Sequence, residues 1–347
     1  MRENLVFSES SAYLITDEFN RFYYSGVSND EGYVVLFPNE CYYFADARYF
    51  YALKQSLKGK DVIPVLYNGL EDIKKLLQSK KVKTLYVDYN IVTVSEYQSY
   101  QTLCEKVADG SEFLQQARIT KSQTEIDNVK RACDIASKAF NYVLPFIKSG
   151  VTELGVKNRL EAFMKKQGAS HPSFNTIVAF GANSAVPHHQ TGKTRLKKNQ
   201  AVLMDFGCVV NGYSSDITRT VFYGTPTEKF TKTFDAVAKA NLLAMESAKE
   251  GVSVKDVDGV ARNYFSSLNV DKYFTHSLGH GVGLEIHEAP RLSPKGQGNL
   301  KNGTVFTIEP GLYYDGEFGV RIENTVVLID GKAESLTGNG RELITIN

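Results

Sequence analysis

AVLMDFGCVV–NG–YSSDITRTVF, residues 201–222, carries the strongest hairpin signal in this chain. Asn211-Gly212 suits a two-residue type I′ turn, and residues that favour strands flank it on both sides. In that register Val210 faces Tyr213 and Asp205 faces Thr218. Asp216 lies two residues from Thr218 along the same strand, so the side-chain period of two turns both aspartates to one face. Diagonal neighbours of this kind have Cβ atoms roughly 7–8 Å apart or less, a span that one or two cations bridge. Two bare carboxylates on a shared apolar face repel and raise each other's pKa. The hairpin therefore predicts a positive partner.

A second hairpin is less tidy. GTVFTIEPGLYY–DG–EFGVRIENTVVLI, residues 303–329, places its turn at Asp315-Gly316. A strict two-residue loop pairs Glu309 with Ile322 and leaves Glu323 on the opposite face. For both glutamates to reach one site, the ladder must slip by one residue through a bulge or a longer loop. Pro310 cannot donate to the ladder, and Gly311 and Gly319 tolerate bulge geometry. Between the hairpins, HSLGHGVGLEIHE (276–288) holds His276, His280 and His287, with glycines at 279, 281 and 283 that let the backbone approach closely. HEAP, at 287–290, lacks the second histidine of an HExxH zinc motif. His188-His189 follow Pro187 in a glycine-bounded loop, and His171 reads as a plain loop residue before Pro172. Asp205, Asp216, Glu309 and Glu323, clustered with His280, would supply roughly four negative charges, enough to neutralise two divalent cations.

Composition sets the outer limits. The chain has 347 residues, long enough for one large domain or two ordinary ones. With 40 Lys and Arg against 39 Asp and Glu, no chain-wide field favours nucleic acid or an anionic membrane, and the basic run at 193–198 reads as solvated loop. The opening MRENLVFSES has no apolar core of signal-peptide length, and no uncharged apolar run approaches the roughly 20 residues that span a bilayer. Cys41, Cys104, Cys133 and Cys208 form no CxxC pair, which argues against a disulfide framework or a zinc ribbon. Cys133 and Cys208 read as small core residues. These features fit a reduced, cytoplasmic enzyme.

The first hundred or so residues alternate strand-like runs (SAYLIT, GYVVLF, CYYFAD, VIPVL, TLYVDY) with helical spacing near 48–55, 70–78 and 94–107. That alternation implies a small α/β domain. Without a GxGxxG or P-loop, nucleotide binding has no support in it. Ser-Gln-Thr-Glu at 122–125 is a capping box opening a helix, whose apolar stripe runs through Ile126, Val129, Cys133, Ala136, Phe140 and Val143 to a stop at Gly150. Thr152 caps the next helix, which ends near Gly168. The domain boundary falls at 118–121, giving domains 1–118 and 119–347. After Ser173 the chain turns β-rich, with helices near 227–250 and 254–268, so the second domain reads as α+β with helices against a curved antiparallel sheet.

Asp205 and Asp216 followed by His280, Glu309 and Glu323 resemble the dinuclear metallopeptidases of the pita-bread fold. MDFG, GYSSDITRT, GHGVGLEIHE, TIEPGLY and GVRIEN are similar to the branch holding aminopeptidase P and prolidase. SAYLIT, FYYSG and FADARYF resemble the creatinase-type N-terminal domain of that branch. Methionine aminopeptidases lack that extra domain, and creatinase lacks the full metal set. The resemblance implies that Asp205 holds one metal in a bidentate fashion, that His280 and Glu309 complete the other, and that Asp216 and Glu323 bridge both. Oxygen-rich coordination with one imidazole suits Mn²⁺, Co²⁺ or Fe²⁺ at least as well as Zn²⁺, and the resemblance points first to manganese. It further implies that Glu309 carries the proton of the attacking water and that His188 and His287 flank the substrate. His276 and Arg321 would help bind or orient it. The activity so implied is an Xaa-Pro aminopeptidase acting on short peptides with proline second, as a homodimer. The alternatives are a prolidase restricted to Xaa-Pro dipeptides and an inactive binding module of the same fold. The prolidase reading needs a basic group for the dipeptide's free carboxylate, which the sequence alone does not identify.

Overall fold

The computed structural model describes Leu5, Phe7 and residues 10–347; most of the MRENLVFSES segment, read above for a leader, lies outside the described residues. The chain packs as two compact units, Met1–Arg118 and Ile119–Asn347. No helix among the described residues is long and apolar enough to cross a membrane.

In the first unit, β1 (Ser11–Ile15), β2 (Tyr33–Leu36), β3 (Cys41–Ala45), β4 (Ile63–Leu66), β5 (Thr84–Val87) and β6 (Lys106–Asp109) form one mixed sheet in the order β4-β3-β2-β1-β5-β6. The connecting helices are α1 (Glu18–Ser25), α2 (Phe50–Ser56), α3 (Leu70–Ser79), α4 (Val94–Tyr100) and α5 (Ser111–Ile119). Ile73 and Leu77, one turn apart on α3, share a core with Leu14, Val35, Leu85 and Val87 of the sheet. Two local readings change. The helix expected over 94–107 stops at Tyr100, although Thr93 and Glu96 cap its start as a capping box. Val107 belongs instead to β6, whose parallel pairing with β5 is a long-range contact that helical spacing does not report. α1 was not anticipated; Asp17 caps it by accepting the N–H of Asn20 at 2.8 Å, and Gly26 closes it with φ 65°.

The second unit is built from two similar halves. In the first half, α6 (Gln123–Val143) and α7 (Glu153–Lys166) pack on the sheet β19-β11-β8-β7. Its strands are β7 (Ile177–Phe180), β8 (Gln200–Phe206), β11 (Ile217–Tyr223) and β19 (Thr345–Ile346), with β9 (Val209–Val210) and β10 (Tyr213–Ser214) as a short ribbon. The Ser122 N–H donates to Glu125 at 2.9 Å, and the whole Ile126-to-Val143 stripe is buried. α6 ends at Val143 rather than running on towards Gly150, because Pro145 lacks an N–H and cannot continue the ladder. In the second half, α8 (Glu228–Ser247) and α9 (Val254–Ser267) pack on β13-β12-β14-β17-β18. These strands are β12 (Gly279–Gly281), β13 (Glu288–Leu292), β14 (Val305–Ile308), β17 (Asn324–Ile329) and β18 (Lys332–Ser335), with β15 (Gly311–Tyr314) and β16 (Phe318–Arg321) as the second ribbon.

Both hairpin registers decide the site. Val210 pairs with Tyr213 and Asp205 with Thr218, so the Asn211-Gly212 turn sets one register along the whole first hairpin; both turn residues have positive φ, 51° and 84°. In the second hairpin Tyr314 pairs with Phe318, which makes a three-residue loop of Asp315, Gly316 and Glu317. Ile308 pairs with Asn324 in the same register, so Glu309 falls opposite Glu323. The longer loop supplies the required one-residue slip, and the ladder needs no bulge.

The expected single curved sheet is in fact broken into sheets and ribbons. The breaks fall at Gly207–Cys208 with Ser215–Asp216, and at Glu309–Pro310 with Ile322–Glu323. There the two ribbons bend away while the register is kept. The first bend depends on Gly207, where a Cβ would lie 1.9 Å from the Ser215 carbonyl oxygen. Gly207→Ala is expected to lower unfolding free energy by about 1–3 kcal/mol, seen as a fall in denaturant midpoint at constant m-value. An unchanged midpoint would contradict that close approach.

Candidate metal centre

The two hairpins meet through their polar faces. The Glu323 N–H donates to the Thr218 carbonyl at 3.1 Å, and the Thr218 hydroxyl donates to Glu323 Oε2 at 2.6 Å. Thr325 Oγ1 donates to the Asp216 carbonyl at 2.7 Å, while the Asp216 N–H donates back to it at 3.3 Å. These bonds bring the Asp216 strand against the Glu323 strand. From the neighbouring strand, His280 is held by its N–H to Thr307 Oγ1 at 3.1 Å, and Thr307 donates onward to Glu309 at 3.2 Å.

Ligand atoms of Asp216, His280 and Glu323 lie within 4.8 Å of one another. His280 Nε2 stands 3.6 Å from Asp216 Oδ2 and 3.3 Å from Glu309 Oε1. Its Nδ1 is 3.1 Å from the Gly281 carbonyl. A carbonyl only accepts, so Nδ1 carries a proton and Nε2, which faces the carboxylates, is the nitrogen that would take a metal in place of its own proton, as in a metal-ligating histidine. Asp205 Oδ2 accepts from Arg321 Nη2 at 2.5 Å, and the Asp205 charge reaches Asp216 and Glu323.

Charge is the dominant fact here. Burial, then the charges of Glu323, Asp205 and Glu309, push the Asp216 carboxyl well above the usual range. Burial and the charges of Glu309 and Asp205 do the same to Glu323. Asp205 is raised by burial despite Arg321 beside it. Burial would also raise Glu309, but the His280 hydrogen bond and charge, with His276 and Arg321, bring it down to about 2. Asp205 Oδ1 and Asp216 Oδ1 are buried with no hydrogen-bond partner among the described residues. Converging orphan oxygens, an imidazole whose Nε2 is turned towards them and an excess of negative charge fit divalent cations.

Other histidines take different places. His276 was expected at the substrate, yet both ring nitrogens face protein partners: Nδ1 the Ser277 carbonyl at 2.8 Å and Nε2 the Tyr313 hydroxyl at 2.9 Å. His287 is exposed, its ring edge-on to that of His280 with centroids 4.3 Å apart. His188 is exposed on its loop and within electrostatic reach of His276 and His287. His189 turns away to Glu153, and His171 faces the Pro172 carbonyl as a plain loop residue. Arg321 is fully engaged: Nε donates to Thr218 at 3.0 Å, Nη1 to the Tyr313 hydroxyl at 2.8 Å and Nη2 to Asp205. Glu288 forms a buried ion pair with Lys121 at 2.6 Å.

Sequence reasoning missed Thr218, Thr307 and Tyr313, which link the charged groups. Alternation held a signal for two of them. Thr218 follows Asp216 by two residues and Thr307 precedes Glu309 by two, so each shares its neighbour's face. It also missed Arg291, which lies opposite His280 in the β12–β13 ladder, is exposed, and acts electrostatically on His287.

A two-unit chain whose second unit joins two hairpin-and-helix halves around buried carboxylates defines a metallohydrolase. Comparison with known proteins narrows that class. Residues 127–330 match "Metallopeptidase family M24" and residues 1–120 match "Creatinase/Prolidase N-terminal domain". An Xaa-Pro dipeptidase of Pyrococcus furiosus is 36% identical over 336 residues, covering 95% of this chain and 94% of that protein. The structure of an Xaa-Pro dipeptidase from Bacillus anthracis superposes with a TM-score of 0.92 at 33% identity, covering 96% of this chain and 95% of that one. An X-Pro aminopeptidase from Thermotoga maritima gives 0.89 at 32% identity, covering 97% of both chains. The chain belongs to metallopeptidase family M24, with a creatinase-type N-terminal domain and a pita-bread catalytic domain. It is therefore a dinuclear metallopeptidase.

Thr218→Val tests the bond between the hairpins. It deprives Glu323 of its 2.6 Å donor and Arg321 of an acceptor. Loss of such a supporting partner is expected to weaken metal affinity by about 10–100-fold, measured by metal titration, with the circular dichroism spectrum unchanged. Unaltered affinity would show that Thr218 does not orient the ligand.

Proposed function

We propose that this chain is an Xaa-Pro dipeptidase that uses two Mn²⁺ ions. The observation that carries the reading is Arg291. Arg291 pairs with the metal-ligand candidate His280 across the β12–β13 ladder, its charge reaches His287, and its exposed side chain donates from Nε to Ser277 Oγ at 3.3 Å. A dipeptide differs from a longer peptide in presenting a free carboxylate one residue past the scissile bond. A guanidinium is the natural fork for that group. The names of the Pyrococcus furiosus and Bacillus anthracis relatives support the same reading. The Thermotoga maritima structure favours a second one, an Xaa-Pro aminopeptidase acting on longer peptides with proline second. The proposal includes a homodimer, as the resemblance implies, and a reduced cytoplasmic setting, which the scattered cysteines without a CxxC pair support.

In this reading Asp205, Asp216, His280, Glu309 and Glu323 would together hold the two ions. When bound, the metal pair lowers the pKa of water and polarises a carbonyl. The protein's own groups do the rest. Glu309, 3.3 Å from His280 and within reach of the Arg321 charge, would take the proton of the attacking water and pass it to the proline imide nitrogen. His287 and His188, exposed beside the site, face the substrate and stabilise the negative charge that develops on the carbonyl oxygen as the tetrahedral intermediate forms. Arg321, with its donors spent on Asp205, Thr218 and Tyr313, orients the ligands rather than the substrate. His276 acts through Tyr313 on the same network.

One assay separates the two readings: Xaa-Pro dipeptides against Xaa-Pro-amides and Xaa-Pro-Xaa tripeptides, with Mn²⁺, for the wild type and Arg291→Ala. The free dipeptide is expected to be the better substrate. Arg291→Ala should raise its KM by roughly ten- to a hundredfold, the equivalent of about 1.5–3 kcal/mol for a charge-assisted hydrogen bond, and leave the amide unaffected. Faster cleavage of tripeptides, with KM indifferent to Arg291, would favour the aminopeptidase.

A further inference from the structure

Glu153 stands on the first turn of α7, capped by Thr152, and its carboxylate is completely buried. A buried carboxylate needs several donors, and this one has four. Oε1 accepts from the Phe180 N–H at 2.9 Å and from Asn183 Nδ2 at 2.8 Å. Oε2 accepts from His189 Nε2 at 3.0 Å and from the Gly192 N–H at 3.1 Å. Every donor lies on one segment, residues 180–192, which carries His188 at its turn. Backbone bonds from Glu153 to the Thr194 carbonyl and from Leu154 to the Gly192 carbonyl extend the clamp.

The same segment is gripped from the opposite side by β16. The Gly319 N–H donates to Ser184 Oγ at 2.9 Å, and a Cβ on Gly319 would lie 2.1 Å from the Ser184 carbonyl oxygen. The Pro187 carbonyl accepts from Arg321 Nη1 at 3.4 Å. Pro187 is followed directly by His188, whose neighbour His189 is the residue bonded to Glu153. The chain around His188 is thus tied to α7 on one side and, through Arg321, to Asp205 on the other.

We propose that Glu153 is a positioning residue, acting through His189 and the 180–192 segment to hold His188 at the substrate. The proposal rests on the reading above in which His188 serves the substrate. Glu153 itself touches neither ligands nor substrate. Its carboxylate replaces, with four fixed acceptor bonds, the ladder partners that a surface loop of this length lacks. Glu153→Gln keeps the shape but sets an amide donor against two of the four donors, so the segment must shift.

The test is a double-mutant cycle on the metal-loaded enzyme with an Xaa-Pro dipeptide, combining Glu153→Gln with His188→Ala. In the His188 background, Glu153→Gln should lower kcat/KM by about 10–100-fold, the cost of misplacing a reacting-site group by an ångström or so. Metal content should hold. In the His188→Ala background the same change should alter kcat/KM by no more than about twofold. The His188 ring-proton resonance in the zinc-loaded, diamagnetic protein should move or broaden in Glu153→Gln. A full drop in both backgrounds, or an unmoved resonance, would overturn the proposal, because Glu153 would then act elsewhere. An inert His188→Ala is a different result: it would remove the reading of His188, and the positioning role with it. Should Glu153→Gln not fold, His189→Ala, at a half-buried position, replaces it in the cycle: a drop confined to the His188 background supports the proposal, and an equal drop in both overturns it.

Discussion

Several acids buried on one face, with too little positive charge from the protein to balance them, form the constraint on which the second unit depends. Asp205, Asp216, Glu309 and Glu323 converge, while Arg321 pairs with Asp205 and the His280 ring reaches Asp216 and Glu309. Burial and mutual repulsion force Asp216 and Glu323 far from their ordinary ionisation. A fold does not keep such a cluster for stability, since apolar residues of the same volume would serve better. In the proposed reading, divalent cations would convert that repulsion into coordination. The threonines between the strands then have a clear task, to fix carboxylate oxygens at the angles that coordination needs.

Geometry follows from that constraint. Asp216, Glu309 and Glu323 all sit where a ladder breaks and a ribbon bends away, yet the register on either side of each break is unchanged. A straight ladder would spread the ligands along its length; a bent one folds them towards a point. Each half brings its own helix pair and apolar core, so the bends are carried by rigid layers rather than by loops. The exposed groups beside the centre are different in kind. His188 rides on a segment without a ladder of its own, and Glu153 provides the missing partners from the helix behind it.

Much of this was legible in the residues. Asn211-Gly212 defined a turn whose register placed Asp205 opposite Thr218, and the capping box at Ser122 marked the helix that follows. Local chemistry was enough in both cases. It was not enough at Asp315-Gly316, where a two-residue and a three-residue loop read alike and only packing against the first hairpin selects the longer one. The run from 94 to 107 misled because Val107 answers to β5, far away in sequence. α1 was hidden by its tyrosines and phenylalanines, which favour strands on propensity, although Asp17 and Gly26 bracket it as caps. Glu153 and Arg291 gave no motif at all. A buried acid and an exposed base are distinguished by their surroundings, which the string of letters does not carry.

The central claim is that these carboxylates and His280 bind a pair of metal ions. Calorimetric titration of Mn²⁺ into chelator-treated protein tests it most directly, because the count needs no substrate. The account predicts two ions per chain, as four converging carboxylates and one imidazole require. Saturation at one ion, or none, would contradict it.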